Sequence, residues 1–320
     1  MICWHNARQA TGIFFLVMLA ACATPQTMAS RNAFPTGVPV RAELDQVVFY
    51  PQEAHQCGPA SLAMSLQHAG QNIEPDQLKL HLYLPEKNGS LQAEMLATAR
   101  CHGALAYVLK PELQSVLTEV AAGNPVLVLQ NLGLSWYPVW HYAVVIGYDV
   151  RREEIILRSG TERRQLIPFF TFENTWARGA HWAMVVLAPG QIPKTARAEG
   201  YIQSVIALEH SSPTSDVWPA YSAAMLRWPE SLVTKMAAGN FAYKRGLLNQ
   251  AETIFLQAAK EHPDSVAAFN NLAQTLSDLG KHEAALLAAR HAVVLGGELN
   301  AQARNTLAEI EQHIADGWNK

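Results

Sequence analysis

Apolar residues in the N-terminal half of the chain form four short, nearly continuous runs bounded by polar or turn-forming residues. These runs are 125–131 (PVLVLQN), 141–149 (HYAVVIGYD), 153–159 (EEIILRS) and 181–188 (HWAMVVLA). Their length and their Val and Ile content predict buried β-strands. Two helices precede them: one begins near Gly58, and the other has Pro111 in its first turn and Gly123 past its end. Helices followed by antiparallel strands predict an α+β domain over residues 45–190.

The C-terminal half has a different pattern, which repeats. Pro229, Pro263 and Gly297 are separated by 34 residues each, and 34 residues is the period of tetratricopeptide repeats, each a pair of helices. Small and apolar residues recur where paired helices must approach closely. They are Gly239, Ala251, Phe255, Ala258, Ala273, Ala285, Ala289 and Ala292. The pattern predicts an all-α domain.

The period also divides this half of the chain. We predict a degenerate first repeat at 198–231, two further repeats at 232–265 and 266–299, and a capping helix to residue 316. A linker, 191–197, without periodicity separates the repeats from the α+β domain. Stacked repeats offer a concave surface, which predicts that an extended peptide or a partner protein binds there.

The N-terminus predicts export. Arg8 precedes the apolar run TGIFFLVMLAA, which has the length of a signal-peptide core and is too short to span a bilayer. The run ends in LAAC, which resembles the lipobox of bacterial lipoproteins, so Cys22 is the predicted lipidation site. Residues 1–21 are the predicted signal peptide, and 22–44, rich in Pro, Thr and Ala, the predicted tether. Ordinary signal cleavage, with Cys22 incidental, is the alternative.

The residue after this cysteine predicts a location. Ala23 occupies that position, without an Asp, and this resembles the signal that sorts Gram-negative lipoproteins to the outer membrane. We therefore expect a protein of the cell envelope that is attached to the membrane by lipid and faces the periplasm.

The amino-acid composition excludes several other classes of protein. The 320 residues are 49% hydrophobic and 16% charged, with a formal net charge of -3. These values are typical neither of a disordered chain nor of a protein with many membrane spans. The mild acidity gives no basic footprint for nucleic acid. We expect no nucleic-acid partner, no cofactor and no metal ion.

The predicted processing leaves two cysteines in the mature chain. The chain has 4 of them; Cys3 leaves with the signal peptide and Cys22 carries lipid. Cys57 and Cys101 remain in an oxidising compartment. Either they form a structural disulfide, or one is a reactive thiol and the other a buried hydrophobic residue.

The sequence around Cys57 favours a reactive thiol. Pro59 suits the first turn of a helix, so Cys57 lies at its N-terminus. The residues that follow, GPASLAMSL, are apolar on nearly every side and predict a buried helix. The positive end of the helix dipole predicts a thiol pKa below about 8.5. A half-buried structural cysteine is the alternative.

A nucleophilic cysteine needs a base, and His141 is the candidate. It opens the apolar strand HYAVVIGY, so a rigid sheet would project the imidazole. His181 opens HWAMVVL in the same way, and such a histidine by itself is typical of a capped strand end.

Together, PQEAHQCGPASLAMSL and HYAVVIGYD resemble the papain-like leader peptidases of bacteriocin exporters and their freestanding relatives. The resemblance covers residues 45–190. It implies that Cys57 is the nucleophile and His141 the general base. It also implies that Gln52, five residues before the cysteine, is the oxyanion-hole glutamine, with Gln56 as the competing candidate.

The residue at the third catalytic position differs from the one that this family has there. Relatives place an Asp, usually followed by Pro, on the strand that returns after the histidine, and here Ser159-Gly160 stands there. Asp149 lies eight residues from His141, about 27 Å along a strand, at the far end of the hairpin. The candidate partners of His141 are Ser159, Thr161 and Glu162, with Asn174 available from a later segment.

These observations predict a lipid-anchored cysteine peptidase with tetratricopeptide repeats. The α+β domain would cleave a peptide or protein substrate, and the repeats would recruit the substrate or a partner protein. Exporter relatives cut after double-glycine leaders, but no transporter spans or nucleotide-binding motif accompany this domain, so that substrate is not assigned. The alternatives are a catalytically impaired peptide-binding scaffold and an amidase or acyltransferase that uses the same residues.

Overall fold

The computed structural model describes residues 24–32, 34, 36–52, 56–82, 89–212 and 215–318. The chain divides into two compact units. The first comprises the residues up to Leu187 together with Pro193–Thr195, and the second comprises Ala188–Ile192 and the residues from Ala196 onward. None of the helices in the described ranges is both long and apolar enough to cross a membrane.

The first unit contains an antiparallel sheet. In the described part of the chain its strands are β1 (Arg41–Glu43), β2 (Leu105–Val108), β3 (Val126–Asn131), β4 (Trp140–Asp149), β5 (Glu154–Ser159), β6 (Glu162–Pro168) and β7 (Ala183–Leu187). They are hydrogen-bonded in the order β2-β7-β3-β4-β5-β6, and β1 pairs with the end of β4, where Arg41 lies opposite Asp149. Residues 142–148 of β4 are all buried, which requires that both faces of the sheet are covered there.

Helices cover the sheet on both faces. They are α1 (Pro25–Asn32), α2 (Cys57–His68), α3 (Pro75–Leu82), α4 (Gln92–Cys101), α5 (Leu113–Ala121) and α6 (Phe169–Ala177). The side chains of α2, α3 and α4 form one core with Leu129 and Tyr142 of the sheet. Side chains alternate along a strand, so Gln130 faces the other way, and its amide donates to Thr175 Oγ1 of α6 at 2.6 Å.

The predicted tether requires a correction. Its described part contains α1 and β1, and both belong to the first unit. The backbone N–H groups of Gln26 and Thr27 donate to the buried carboxylate of Glu173 at 3.0 and 2.6 Å. The Gln26 side chain accepts from the N–H of Leu113, the first residue of α5. The segment is bound because Glu173 supplies the acceptor for the first N–H groups of α1, which a helix cannot satisfy internally.

The second unit is all-helical in its described residues. Its helices are α7 (Ala198–Ser211), α8 (Trp218–Arg227), α9 (Leu232–Lys244), α10 (Leu248–Glu261), α11 (Val266–Asp278), α12 (His282–Leu295) and α13 (Asn300–Trp318). Each predicted repeat span holds two of them, and α13 follows. The close approach of α9 and α10 depends on Gly239, because a Cβ there would lie 2.5 Å from the Phe255 ring.

Candidate active site

Helix α2 begins at Cys57 and is buried from Gly58 to Leu66. Gly58 sits so close to its surroundings that a Cβ there would lie 2.3 Å from Ser90 Oγ. Pro59 lacks an N–H, which a first-turn position does not need. The local sequence thus places the half-buried thiol of Cys57 at the first helical residue. The next residue, Gly58, is tightly packed against Ser90.

Strand β4 passes directly beside this helix end. In the pairing of β4 with β5, Val144 lies opposite Arg158, and the residues of β4 before Val144 are not paired with β5. The Tyr142 carbonyl therefore bonds to side chains of α2 and of the segment before α2. The Tyr142 carbonyl accepts from Ser61 Oγ at 3.1 Å and from Gln52 Nε2 at 3.4 Å. A backbone hydrogen bond with Tyr142 stabilises the ionised form of the Cys57 thiol. The N-terminus of α2 therefore lies against the strand one residue after His141.

His141 projects from the start of β4 and bonds across to β5. Its Nε2 lies 2.9 Å from the hydroxyl of Ser159, the last residue of β5. Ser159 is buried, so this contact is protected from competing water. A hydroxyl can hold the ring in one orientation, but unlike a carboxylate it carries no charge to stabilise an imidazolium.

Gln52 connects these segments. Its Nε2 donates to Ser61 Oγ at 3.1 Å, and its Oε1 accepts from the N–H of Gly160 at 3.0 Å. Its own backbone N–H donates to the Gly160 carbonyl at 2.9 Å. The glutamine is buried and links α2 to the turn that carries Ser159. The structure thus brings Gln52, Cys57, His141 and Ser159 into one cluster around the Tyr142 backbone.

The other candidates lie elsewhere or make other contacts. Thr161 is exposed in the turn after β5, and Glu162 is exposed at the start of β6. Asn174 lies in α6. Asp149 pairs with Glu154 at the opposite end of the hairpin, and its Oδ1 accepts from the N–H groups that follow it, as the length of the strand predicts. Gln56 occupies the N-cap position of α2 but makes no side-chain cap there.

Burial shifts the pKa values of both Cys57 and His141. The predicted fall in the Cys57 pKa is wrong: burial raises the pKa of the thiol, and the backbone of Tyr142, Gly58 and Cys57 itself lowers it by a smaller amount. Burial also lowers the pKa of His141. Both shifts favour the neutral forms, because charges lose hydration when they leave water.

Cys57 and Cys101 form no disulfide, and Cys101 is exposed in the last turn of α4 rather than buried. Over the ranges that the structure describes, no cluster of His, Cys, Asp and Glu is arranged to hold a metal ion. Cys22 lies outside the described residues.

Three contributors to the site are not predicted from the sequence: Ser61 and the backbones of Tyr142 and Gly160. Ser61 lies four residues after Cys57, hence on the same helix face, and that spacing was a usable signal. The backbone of Tyr142 and of Gly160 gave no such signal, because any residue type supplies an N–H and a carbonyl. Their roles follow from where β4 and β5 separate, which is a property of the sheet.

Comparisons with known proteins agree with this architecture. Residues 44–183 match the Peptidase_C39 like family, and residues 254–286 match the tetratricopeptide repeat family. No curated protein matches the chain. The repeat match spans most of α10, all of α11 and the beginning of α12.

Two solved structures are similar to part of this chain. One is a C39-like peptidase from Bacillus anthracis, 19% identical, with a TM-score of 0.40, covering 48% of this chain and 99% of that one. The other is the peptidase domain of Streptococcus ComA, a bifunctional ABC transporter involved in a quorum-sensing pathway. It is 17% identical, with a TM-score of 0.37, covering 45% of this chain and 99% of that one.

The predicted fold class is confirmed. The first unit is an antiparallel sheet with packed helices over the residues that match the Peptidase_C39 like family, and an all-helical region with a tetratricopeptide repeat match follows it.

Proposed function

We propose that the first unit is a cysteine peptidase in which Cys57 is the nucleophile and His141 the general base. The observation that carries the proposal is the cluster around the Tyr142 backbone. There the start of α2, the start of β4 and the end of β5 bring a thiol, an imidazole, a hydroxyl and an amide together. Acyl transfer by a thiol needs this combination of groups.

The reaction begins with a neutral pair. His141 accepts the thiol proton as Cys57 Sγ attacks the carbonyl carbon of the scissile peptide bond. The backbone N–H of Cys57 and the Gln52 amide would stabilise the oxyanion that forms. His141 then gives its proton to the leaving nitrogen, and the C–N bond breaks to release the amine and leave a thioester. Water, deprotonated by His141, hydrolyses the thioester and restores the thiol.

Ser159 acts in this scheme as a positioning residue. Its hydroxyl lies 2.9 Å from His141 Nε2 and fixes the ring so that Nδ1 is available for the proton of Cys57. Gln52 has a second role besides the oxyanion, since its bonds to Gly160 and Ser61 hold the Ser159 turn against α2.

We further propose that Cys22 carries lipid and anchors the protein in the bacterial envelope. LAAC at the end of an apolar run supports this, and so does the short connection between Cys22 and the bound helix α1. The repeats of the second unit would recruit the substrate or a partner protein, as stacked helical repeats commonly do.

A catalytically impaired peptide-binding protein is the second candidate. A hydroxyl in place of a carboxylate at His141 Nε2 and the raised pKa of Cys57 favour it, because both disfavour the thiolate–imidazolium pair. An amidase or acyltransferase would use the same residues on another acyl group.

The test is digestion of a peptide library by the mature chain, with new termini identified by mass spectrometry. We expect cleavage by the wild-type protein and its loss in Cys57→Ala and His141→Ala, while Cys101→Ser retains full activity because its thiol is exposed and lies outside the cluster. Saturable peptide binding without cleavage would contradict the peptidase proposal and support the scaffold. Equal cleavage by Cys57→Ala would exclude this thiol from the chemistry.

A further inference from the structure

A hairpin with an exposed aromatic tip connects β3 to β4. Residues 132–140 (LGLSWYPVW) contain no charged side chain, and we call this segment the aromatic hairpin. Trp136 is 81% exposed and Tyr137 70% exposed. Four other large apolar side chains of the segment are about half exposed: Leu132, Leu134, Val139 and Trp140. Soluble proteins rarely present such a contiguous apolar patch unless it binds something.

The aromatic hairpin has a defined backbone. Leu134 and Tyr137 exchange two backbone hydrogen bonds, each 3.1 Å long, and the N–H of Leu132 donates to the Val139 carbonyl at 2.8 Å. The side chain of Asn131 accepts from two N–H groups of the hairpin, each at 2.9 Å. The tip side chains are therefore held outward by a structured scaffold.

The predicted lipid anchor reaches the same region of the first unit. Helix α1 is bound at its first turn to Glu173 of α6. Thr24 is two residues from Cys22, a distance that the chain can extend to at most about 7 Å. A lipid on Cys22 would therefore hold the bilayer surface close to α6 rather than at the end of a long tether.

The base of the aromatic hairpin is attached to the end of α6. Arg178, which follows that helix, donates from Nε and an Nη to the Asn131 carbonyl at 3.1 and 2.9 Å. Glu173 and Arg178 are five residues apart, about 7.5 Å along a helix axis. Gln26 also bonds the Pro111 carbonyl, which follows β2 at the end of the sheet where Asn131 lies. Helix α1 and the aromatic hairpin thus share one end of the first unit.

We propose that the aromatic hairpin inserts into the interfacial layer of the bilayer to which Cys22 is anchored. Trp and Tyr are enriched at this depth, where an apolar ring and a polar group both find partners. Because His141 directly follows the hairpin, the active site would lie near the membrane surface. The inference rests on the proposed lipid anchor.

The experiment removes the lipid so that the hairpin is tested alone. The chain from residue 22 onward, carrying Cys22→Ser, is sedimented with vesicles of phosphatidylethanolamine and phosphatidylglycerol. We expect measurable binding, and a partition coefficient at least about tenfold lower when Trp136→Ser and Tyr137→Ser are combined, because two large aromatic side chains no longer leave water. The matched control is Leu80→Ser, since Leu80 is 91% exposed on α3 of the same unit and should not affect binding.

A second readout does not depend on loss of binding. Lipids brominated near the headgroup should quench the tryptophan fluorescence of the Cys22→Ser chain, and Trp136→Phe should remove part of that quenching while binding persists. Circular dichroism of every variant checks that the fold is retained.

Three results would overturn the inference: no vesicle binding by the Cys22→Ser chain, equal binding by the double variant, or equal quenching with Trp136→Phe. A double variant that binds vesicles normally but raises KM for peptides would assign the hairpin to substrate instead. The lipid anchor is tested separately by mass spectrometry of the N-terminal peptide from cells. An unmodified Cys22 together with vesicle binding would reject the anchor and retain the hairpin contact.

Discussion

Replacing Ser159 with Asp tests whether the residue at His141 Nε2 controls the reactivity of Cys57. The hydroxyl is neutral and lies 2.9 Å from Nε2. A carboxylate there would face an imidazolium at nearly the same separation. Opposite charges within about 4–6 Å typically shift a pKa by about 1–3 units. Burial of the new carboxylate opposes this, so we expect the lower part of the range, about 1–2 units upward for His141.

The effect on the thiolate follows from the directions of the two pKa shifts. Burial raises the pKa of Cys57 and lowers that of His141, so the neutral pair dominates between the two pKa values. In that pH window the fraction of thiolate–imidazolium depends on the difference between the pKa values, and each unit gained by His141 multiplies it by about ten. Ser159→Asp should therefore raise the reactive fraction about 10–100-fold.

The assay needs no known substrate. The alkylation rate of Cys57 by iodoacetamide is followed against pH in a Cys101→Ser background, because Cys101 is exposed. We expect a higher plateau in Ser159→Asp and an acidic limb shifted to higher pH, since that limb reports the protonation of His141. Ser159→Ala should lower the plateau by about fivefold, because a lost hydrogen bond of about 1 kcal/mol leaves the ring less well oriented.

Two controls separate charge from other effects. Ser159→Asn has the size of Asp without its charge and should not move the acidic limb. Thr161→Asp adds the same charge at an exposed neighbouring position, where solvent screening should leave the alkylation rate unchanged. An unchanged pH profile in a correctly folded Ser159→Asp protein would refute the argument that this position governs His141.

Two further predictions concern Gln52 and Gly239. Gln52→Ala should lower kcat on a cleaved peptide by about 10²–10³ with little change in KM, because the Gln52 side chain bonds to Ser61 and to Gly160 in the site. Gln56→Ala should leave kcat within about twofold, since Gln56 makes no side-chain cap on α2. Similar losses in both variants would contradict this. Gly239→Ala should destabilise the protein by about 1–3 kcal/mol in denaturant unfolding, because the new Cβ would lie 2.5 Å from the Phe255 ring. Combining it with Phe255→Leu should recover part of that loss, and no recovery would argue against this contact.

The parts of the fold that sequence predicted well depend on local chemistry. Cys57 begins α2 because Pro59 suits a first turn, and β4 begins within one residue of its predicted start because HYAVVIGY is apolar throughout. The repeat helices follow a period that packing imposes on small residues such as Gly239. The starts of α2 and β4 could be predicted from a window of a few residues, and the repeats from a spacing of 34 residues.

The parts that were missed depend on distant partners. The sequence of helix α1, PQTMASRN, predicts a tether because it has no apolar stripe. In the structure the helix is bound by Glu173, which lies nearly 150 residues away. Strand β1 has three residues and exists as a strand because β4 offers a free edge there. Neither partner can be recognised from the local sequence, so composition alone favoured an extended segment.

The sign of the Cys57 pKa shift, by contrast, could have been obtained from the sequence by comparing magnitudes. A helix N-terminus stabilises a charge by about 0.3–1 kcal/mol when exposed and about 2 kcal/mol when partly buried, whereas burial of an ion costs considerably more. The same apolar run that predicts the helix also predicts its burial, so desolvation had to dominate. In the proposed reaction the thiolate therefore forms as His141 takes its proton, and we expect the residue at His141 Nε2 to control how readily this happens. With a hydroxyl at that position we expect Cys57 to be a slow nucleophile, which a substrate that excludes water and places a charge or dipole near His141 would accelerate.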